Sequence, residues 1–246
     1  MKNLIILAVF IGACTAVPLR IVNGTDAHEG EFKYVVSVRS SLSHICGGTI
    51  LNNRFVLTAA HCVCDDSTPR DASLYSIQYG SVNISRDTQR SINVQTIKCG
   101  PFTMASLNYD VAVLQLVSAI PAGSNWEPVV LSQSFDSTIQ HSGIVVGWGR
   151  LWQDGPIPTT LQKLNVRTLT NTICGLRFNN DHHVCLTTTL GGVCNGDSGT
   201  SLVVNGVQVG IASFITNTCG TTSALTPNVY ARVPTYYSWI IENSRL

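Results

Sequence analysis

With 246 residues and an apolar fraction of 44%, the chain is long enough to bury one or two hydrophobic cores, and its composition excludes a disordered or fibrous protein. Its formal net charge is +1, and it has no basic run with interleaved aromatic residues. Nucleic acid and anionic membrane surfaces are therefore not expected as partners.

The chain begins with the pattern of an export signal. A continuous apolar run follows Lys2, and the small residues Cys14 and Ala16 suit signal cleavage. This pattern predicts a signal peptide over 1–16 and a secreted, extracellular protein. The apolar run is too short to cross a bilayer, and no later segment approaches the roughly 20 apolar residues of a transmembrane helix.

Of the nine cysteines, Cys14 would leave with the signal, and an even set in an exported protein indicates disulfides. Zinc is the alternative, with "HCVC" from His61 to Cys64 as the candidate. No second cluster has ligand spacing, so we expect neither a metal nor another cofactor. The eight remaining cysteines are Cys46, Cys62, Cys64, Cys99, Cys174, Cys185, Cys194 and Cys219.

Short apolar or alternating runs typical of β-strands recur from Phe32 onward: "YVVSV", "RFVLTA", "LYSIQY", "INVQTI", "DVAVLQL", "GIVVGWG", "LQKLNV" and "SLVVNGVQVGIASF". Within the last of these, Asn205-Gly206 predicts a two-residue hairpin turn. Helical periodicity occurs only in "TYYSWIIENSRL", after Pro234. The pattern predicts β-barrels or a sandwich with one terminal helix, and the turn-rich segment 123–137 is the expected boundary between two halves.

The stretch "GDSGT" places Ser198 beside an acid and between glycines, which is typical of either a tight turn or a nucleophile. All six histidines precede Ser198, so the Ser, acid, His order of α/β-hydrolases is excluded. His61 ends an apolar strand, and Asp110 opens an apolar run in which a buried carboxylate would need a partner. Asp26 is a weaker choice of acid because it lies in polar sequence. Taken singly, a packed histidine and a strand cap remain the alternatives for His61 and Asp110.

Six motifs then occur in a familiar order: "IVNG", "TAAHC", "NYDVAVLQL", "GWG", "GDSG" and "PNVYARV". Over 21–246 the chain resembles the chymotrypsin-like serine proteases. The resemblance implies an all-β fold of two six-stranded antiparallel β-barrels with a C-terminal helix and a catalytic cleft between the barrels. It implies a serine endopeptidase that cleaves protein or peptide substrates through an acyl-enzyme, with His61, Asp110 and Ser198 as the triad and the N–H groups of Gly196 and Ser198 as the oxyanion hole.

The same resemblance implies activation by cleavage. "VPLR" at 17–20 is similar to a propeptide that ends in a trypsin-type site at Arg20. A trypsin-like protease would free the amine of Ile21, which would pair with Asp197. The resemblance also implies protein protease inhibitors as possible binding partners.

Three disulfides follow the family pattern, namely Cys46–Cys62, Cys174–Cys185 and Cys194–Cys219. Cys64 and Cys99 are not part of that common set, and we pair them by elimination because both lie in segments that should flank the cleft.

In this family the residue six positions before the nucleophile forms the base of the primary pocket, and here it is Gly192, where trypsins carry Asp. Ser213, Ile215 and Asn228 are the expected wall residues, and the last two replace glycines. A narrowed pocket predicts an elastase-like preference for Ala, Val or Leu, whereas an Ile215 that faces away would leave chymotrypsin-like cleavage after Phe, Tyr or Leu. Digestion is the default role.

Thr200 departs from the family, which has glycine there. A positive φ at this β-branched residue would be strained by roughly 1 to 3 kcal/mol and would put the oxyanion loop in doubt. The alternative function is therefore a weak or inactive homologue that acts as a protein-binding module. The sequons at Asn23 and Asn83 are candidate N-glycosylation sites.

Overall fold

The structure, a computed structural model, describes residues 21–84, 90–123, 125–189 and 191–245. The predicted signal peptide and propeptide, including Arg20, lie outside these described residues. No helix within them is both long and apolar enough to cross a bilayer.

Strands up to residue 116 are β1 (Thr25–Asp26), β2 (Val35–Ser40), β3 (Ser43–Asn52), β4 (Phe55–Thr58), β5 (Cys64–Asp65), β6 (Thr68–Pro69), β7 (Tyr75–Gln78), β8 (Ser91–Cys99) and β9 (Ala112–Leu116). Later strands are β10 (Ser142–Gly147), β11 (Gln162–Thr168), β12 (His183–Thr187), β13 (Ser201–Val204), β14 (Val207–Ile215) and β15 (Asn228–Arg232). The helices are α1 (Ala60–Val63), α2 (Asn171–Cys174) and α3 (Val233–Asn243), with a short 3-10 helix at Ala72–Leu74.

Six antiparallel strands close the first barrel in the order β2, β3, β4, β9, β8, β7. Val36, Leu57 and Leu114 are fully buried inside it. The sequence patterns miss β3 because two glycines interrupt its apolar residues. Gly48 is required there by packing, since a Cβ atom at this position would lie 2.9 Å from the carbonyl oxygen of Leu57.

The second barrel follows the order β11, β10, β13, β14, β15, β12 and closes by pairing of β12 with β11. Asn205 and Gly206 have φ values of 50° and 80° and connect β13 to β14, which confirms the predicted hairpin turn. The strands β12 and β15 are missing from the sequence prediction. Each has only five residues with little apolar alternation, and they form by pairing with one another.

Each end of the described chain packs on the opposite barrel. Near the start, β1 pairs with β11, and at the end Tyr236 and Ile240 of α3 join the core of the first barrel. The barrels are connected by residues 117–141, and the expected boundary at 123–137 lies within this connection. The prediction of two six-stranded antiparallel barrels with a C-terminal helix is confirmed.

Candidate active site

A cavity of about 300 Å³ lies between the barrels and is lined by His61 and Asp110 from the first and by Ser198 from the second. A larger groove of about 790 Å³ on the second barrel is lined without any histidine, acid or cysteine. Acid–base chemistry therefore belongs to the smaller cavity.

His61 lies in α1, directly after β4, and the disulfide of the neighbouring Cys62 with Cys46 ties this turn to β3. Its Nδ1 atom is 2.7 Å from Asp110 Oδ2, and its backbone N–H donates to Asp110 Oδ1 at 2.9 Å. An ionised carboxylate only accepts hydrogen bonds, so Nδ1 carries the proton and Nε2 presents a lone pair. This arrangement suits a general base.

Asp110 receives a third hydrogen bond, from the hydroxyl of Ser213 on β14. The carboxylate is 1% exposed, and its three donors compensate the loss of water. The sequence analysis assigned Ser213 to the pocket wall and missed this contact, because nothing local in "IASFI" indicates a long-range carboxylate partner.

Ser198 is partly exposed to the cavity, and its backbone carbonyl accepts a hydrogen bond from Gly47 N at 2.8 Å. Within the described part of the chain, no hydrogen bond joins its hydroxyl to His61. The following Gly199 has a φ of 82°, and a Cβ atom there would lie 2.3 Å from Thr58 Oγ1. Glycine is therefore needed to bring Ser198 against the first barrel.

Gly196 has a φ of 100°, and its carbonyl oxygen accepts a hydrogen bond from His44 Nε2 at 3.0 Å. Burial lowers the pKa of His44 to about 4, so the ring is neutral and its Nδ1 accepts from Ser37 Oγ at 2.8 Å. The N–H groups of Gly196 and Ser198 donate to no acceptor among the described residues. Two unused backbone donors beside a serine can receive a developing oxyanion.

Asp197 is buried at 1% exposure and accepts hydrogen bonds from Gly149 N at 2.7 Å and Cys194 N at 2.9 Å. No cation lies beside it within the described ranges, and burial raises its pKa to about 6. Ile21 is fully buried, and the carbonyl of Val22 accepts a hydrogen bond from Gly192 N at 3.2 Å. The start of the described chain is therefore anchored in the second barrel.

Strain at Thr200 is not observed, because this residue is not among those with positive φ. Its hydroxyl donates to the Asp197 carbonyl at 2.6 Å, and its side chain is fully buried. The space comes from β3, since a Cβ atom on Gly47 would lie 2.0 Å from Thr200 Cγ2. The doubt that Thr200 raised about the oxyanion loop is thus removed.

Of the residues predicted to form the primary pocket, Ser213 and Ile215 line the cavity, whereas Gly192 and Asn228 are not among its lining residues. Gly192 has a φ of 153°, and a Cβ atom there would lie 2.9 Å from Asn228 Oδ1, which accepts from Val193 N at 3.1 Å. Asn228 is buried beside Gly192, and it pairs across the sheet with Ile215. Ile215 lines the cavity.

Six further apolar residues line the cavity that the sequence analysis did not identify: Phe102, Met104, Leu107, Val193, Ala212 and Phe214. The first three come from the loop between β8 and β9, in "PFTMASLNYD". Their clustering just before Asp110 is the only sequence signal that could have indicated them.

The described residues contain four disulfides, and they join the pairs expected from the sequence: Cys46–Cys62, Cys64–Cys99, Cys174–Cys185 and Cys194–Cys219. Because Cys62 and Cys64 are both oxidised, the "HCVC" segment has no thiolate to offer, and the zinc alternative loses its ligands.

Comparison with known proteins agrees with this geometry. The family model described as trypsin matches residues 21–240. The chain is 34% identical to Serine protease SP24D of Anopheles gambiae, with 90% of this chain and 80% of that protein covered. It is also 34% identical to Chymotrypsin-2 of Vespa crabro, with 91% and 99% covered. Mouse neuropsin has the same fold, with a TM-score of 0.79 at 24% identity, and the match covers 90% of this chain and 99% of that one.

Proposed function

The chain belongs to the trypsin family of serine endopeptidases, and from this membership we propose that it is a secreted, catalytically competent protease made as a zymogen. The observation that carries the proposal is the pairing of His61 with the buried Asp110 in the cavity that also holds Ser198. Digestion of dietary protein is the role we propose for it.

In the proposed reaction, Ser198 Oγ attacks the peptide carbonyl carbon while His61 Nε2 takes its proton. The carbonyl oxygen becomes an oxyanion and receives hydrogen bonds from the N–H groups of Gly196 and Ser198. His61 then gives the proton to the departing amine, which leaves an acyl-enzyme. Water activated by His61 releases the acyl group, and Asp110 stabilises the imidazolium in both steps.

The competing function is an inactive homologue that only binds proteins. A serine-directed fluorophosphonate separates the two, because it forms an adduct only with an activated serine. We expect stoichiometric labelling of Ser198 after cleavage at Arg20, and no labelling in His61→Ala. Folded, cleaved protein that stays unlabelled would establish the binding module instead.

We further propose an elastase-like preference for Ala, Val or Leu before the scissile bond. Ile215 lines the cavity, so its branched side chain reduces the space that an aromatic ring would need. Overpacking typically costs about 1 to 3 kcal/mol, which corresponds to roughly ten- to a hundredfold discrimination. The wasp relative named Chymotrypsin-2 favours the second candidate, cleavage after Phe, Tyr or Leu.

The test compares kcat/KM for matched peptides with Ala, Leu, Phe or Arg at this position. We expect Ala and Leu to exceed Phe, and Ile215→Gly to shift the preference toward Phe without loss of kcat. A tenfold advantage of Phe in the parent enzyme would favour the chymotrypsin-like candidate, and Arg as best substrate would defeat both.

We propose that cleavage of the zymogen activates the enzyme through Asp197, which lies next to Ser198 in the chain. A trypsin-like protease cleaves after Arg20, and the new Ile21 amine supplies the cation that the buried Asp197 lacks. Protein protease inhibitors would occupy the cleft as substrates do. Mass spectrometry of active enzyme tests this, since an N-terminus that still carries Val17 contradicts it.

Of the two proposed glycosylation sites, Asn83 is exposed, whereas Asn23 is partly buried close to the activation site. We expect occupancy at Asn83 first, visible as a peptide mass shift after glycosidase treatment.

A further inference from the structure

His183 is a buried histidine that the proposed reaction does not use. It begins β12, is 4% exposed, and lies between three segments that carry Leu107, Asn179 and Phe214. Two of them belong to the second barrel, and the third is the cleft loop of the first barrel.

Both ring nitrogens of His183 face carbonyl oxygens. Nδ1 is 3.1 Å from the Asn179 oxygen, and Nε2 is 3.1 Å from the Leu107 oxygen. A carbonyl oxygen only accepts, and a neutral imidazole has one N–H to donate. The neutral ring therefore satisfies one carbonyl and turns a lone pair toward the other, whereas the imidazolium donates to both.

The contacts of His183 reach the substrate cavity directly. Leu107 and Phe214 both line that cavity, and the Phe214 and His183 rings form a T-shaped pair with centroids 5.8 Å apart. Leu107 has a φ of 57°, and its N–H donates to the Thr103 carbonyl at 2.9 Å, so its own carbonyl is held toward His183 by the loop. His183 therefore contacts two residues of the wall of the cavity that also contains Ser198.

Two ionisable groups act on His183. Burial is the main influence and lowers the pKa of His183 below its usual value; the neighbouring His182 lowers it as well, and the Asp110 carboxylate raises it. The other packed side chains, Phe178 and Phe214, are uncharged. The hydrogen bonds to the Leu107 and Asn179 carbonyls raise the pKa of His183, but burial outweighs them, so this ring is protonated less readily than an exposed histidine.

We propose that His183 is a positioning residue that clamps the Leu107 loop to the second barrel, and that its doubly protonated form tightens the cavity wall on an extended peptide. The effect on peptide binding rests on the proposed function, because it takes the cavity as the peptide site. The clamp itself does not depend on catalysis.

The clamp is tested first without substrate, by following backbone amide resonances of the cleaved Ser198→Ala protein from pH 4.5 to 8. The Asn108 and Asn180 amides share peptide bonds with the two carbonyls that His183 faces. We expect both to shift with one common midpoint below pH 6.5, and not to shift in His183→Gln, which keeps a donor but does not titrate. Independent midpoints, or shifts that persist in His183→Gln, would overturn the clamp.

The peptide step is tested by calorimetry with a blocked hexapeptide that carries Ala before the scissile bond. In the Ser198→Ala background we expect Kd to fall about three- to tenfold as the pH drops from 8 to below the common midpoint of the two amides, roughly the effect of one hydrogen bond, relative to the same protein with His183→Gln. Because the two proteins differ only at residue 183, the ratio of the two Kd values isolates the contribution of His183. His28→Gln, at an exposed histidine, should keep the parent pH dependence.

A pH-independent ratio would overturn the tightening of the wall even where the amides titrate together. Absence of peptide binding at every pH, together with absence of fluorophosphonate labelling in the parent chain, would instead refute the proposed function and the peptide step with it, and the amide titration would still decide the clamp.

Discussion

Asp110 accepts hydrogen bonds from both barrels, two from His61 and one from Ser213. Removing the hydroxyl with Ser213→Ala leaves the two bonds from His61 in place, so we expect His61 to keep its tautomer while the buried carboxylate loses one donor. The expected result is a decrease of about three- to tenfold in kcat with unchanged KM, the effect of one hydrogen bond. Steady-state kinetics with a peptide anilide measures it, and the exposed Ser142→Ala serves as control. A rise in KM alone would place Ser213 in substrate binding only.

Asp197 gives the uncut chain a characteristic pH dependence. Its pKa is about 6 in the fold and about 3.8 in the unfolded chain, so between these values the folded state binds the extra proton. The free energy of unfolding therefore decreases as pH rises from 4 to 6, by on the order of 3 kcal/mol in total. The stabilisation is fully present below pH 4 and lost above pH 6.

Chemical denaturation of an uncleavable Arg20→Gln chain measures this slope. After cleavage of the parent chain, the Ile21 amine is charged throughout the window, and we expect the Asp197 contribution to vanish. His44 titrates in the same range, but it contributes equally to both proteins and cancels in the difference. Asp197→Asn in the uncleavable chain should also remove the contribution, and identical slopes in all three proteins would contradict this account.

At the scale of elements, β3 packs against the residue before β13 because Gly47 has no side chain to collide with Thr200. Gly47→Ala would place a Cβ atom 2.0 Å from Thr200 Cγ2, and we expect a loss of about 1 to 3 kcal/mol of stability from overpacking. Thr200→Gly in the same chain removes the clash and should restore most of this loss. Urea denaturation of both single variants and the double variant gives the coupling energy. Additive effects would show that the two positions do not meet.

Strands with alternating apolar residues are predictable from the sequence. Strands whose residues are chosen for contacts with distant parts of the chain are not. The patterns of β2, β4 and the Asn205-Gly206 turn are local, so they are readable. In β3, Gly47 makes room for Thr200, which lies about 150 residues further along the chain, and no local pattern encodes that need. The same limit applies to Ser213, whose carboxylate partner is 103 residues away. The pairing of His61 with Asp110 was predictable, because Asp110 lies between His61 and Ser198 in the chain and opens an apolar run that would bury its carboxylate.

The whole molecule depends on chain ends that cross between barrels. Ile240 of α3 is fully buried in one cluster with residues of both barrels. We expect Ile240→Ala to cost about 2 to 5 kcal/mol and to lower the stability of both barrels together. Hydrogen exchange of β4 and β10 at increasing urea measures this, with the exposed Ser238→Ala on the same helix as control. Opening of the first barrel alone would show that the barrels are energetically separate.

The predicted floor of the primary pocket is hydrogen-bonded to the start of the described chain, and this bears on how substrate specificity could change in evolution. Gly192 N donates to the Val22 carbonyl, and a Cβ atom on Gly192 would lie 2.9 Å from Asn228 Oδ1 on a backbone with a φ of 153°, so a side chain there would be strained. A single substitution to Asp would introduce a strained backbone and set two oxygen atoms against each other, so basic-residue specificity is not one mutational step away. We therefore expect a change to basic-residue specificity to require a second substitution at Asn228, and each intermediate to be tested by the proposed activation as well as by substrate choice.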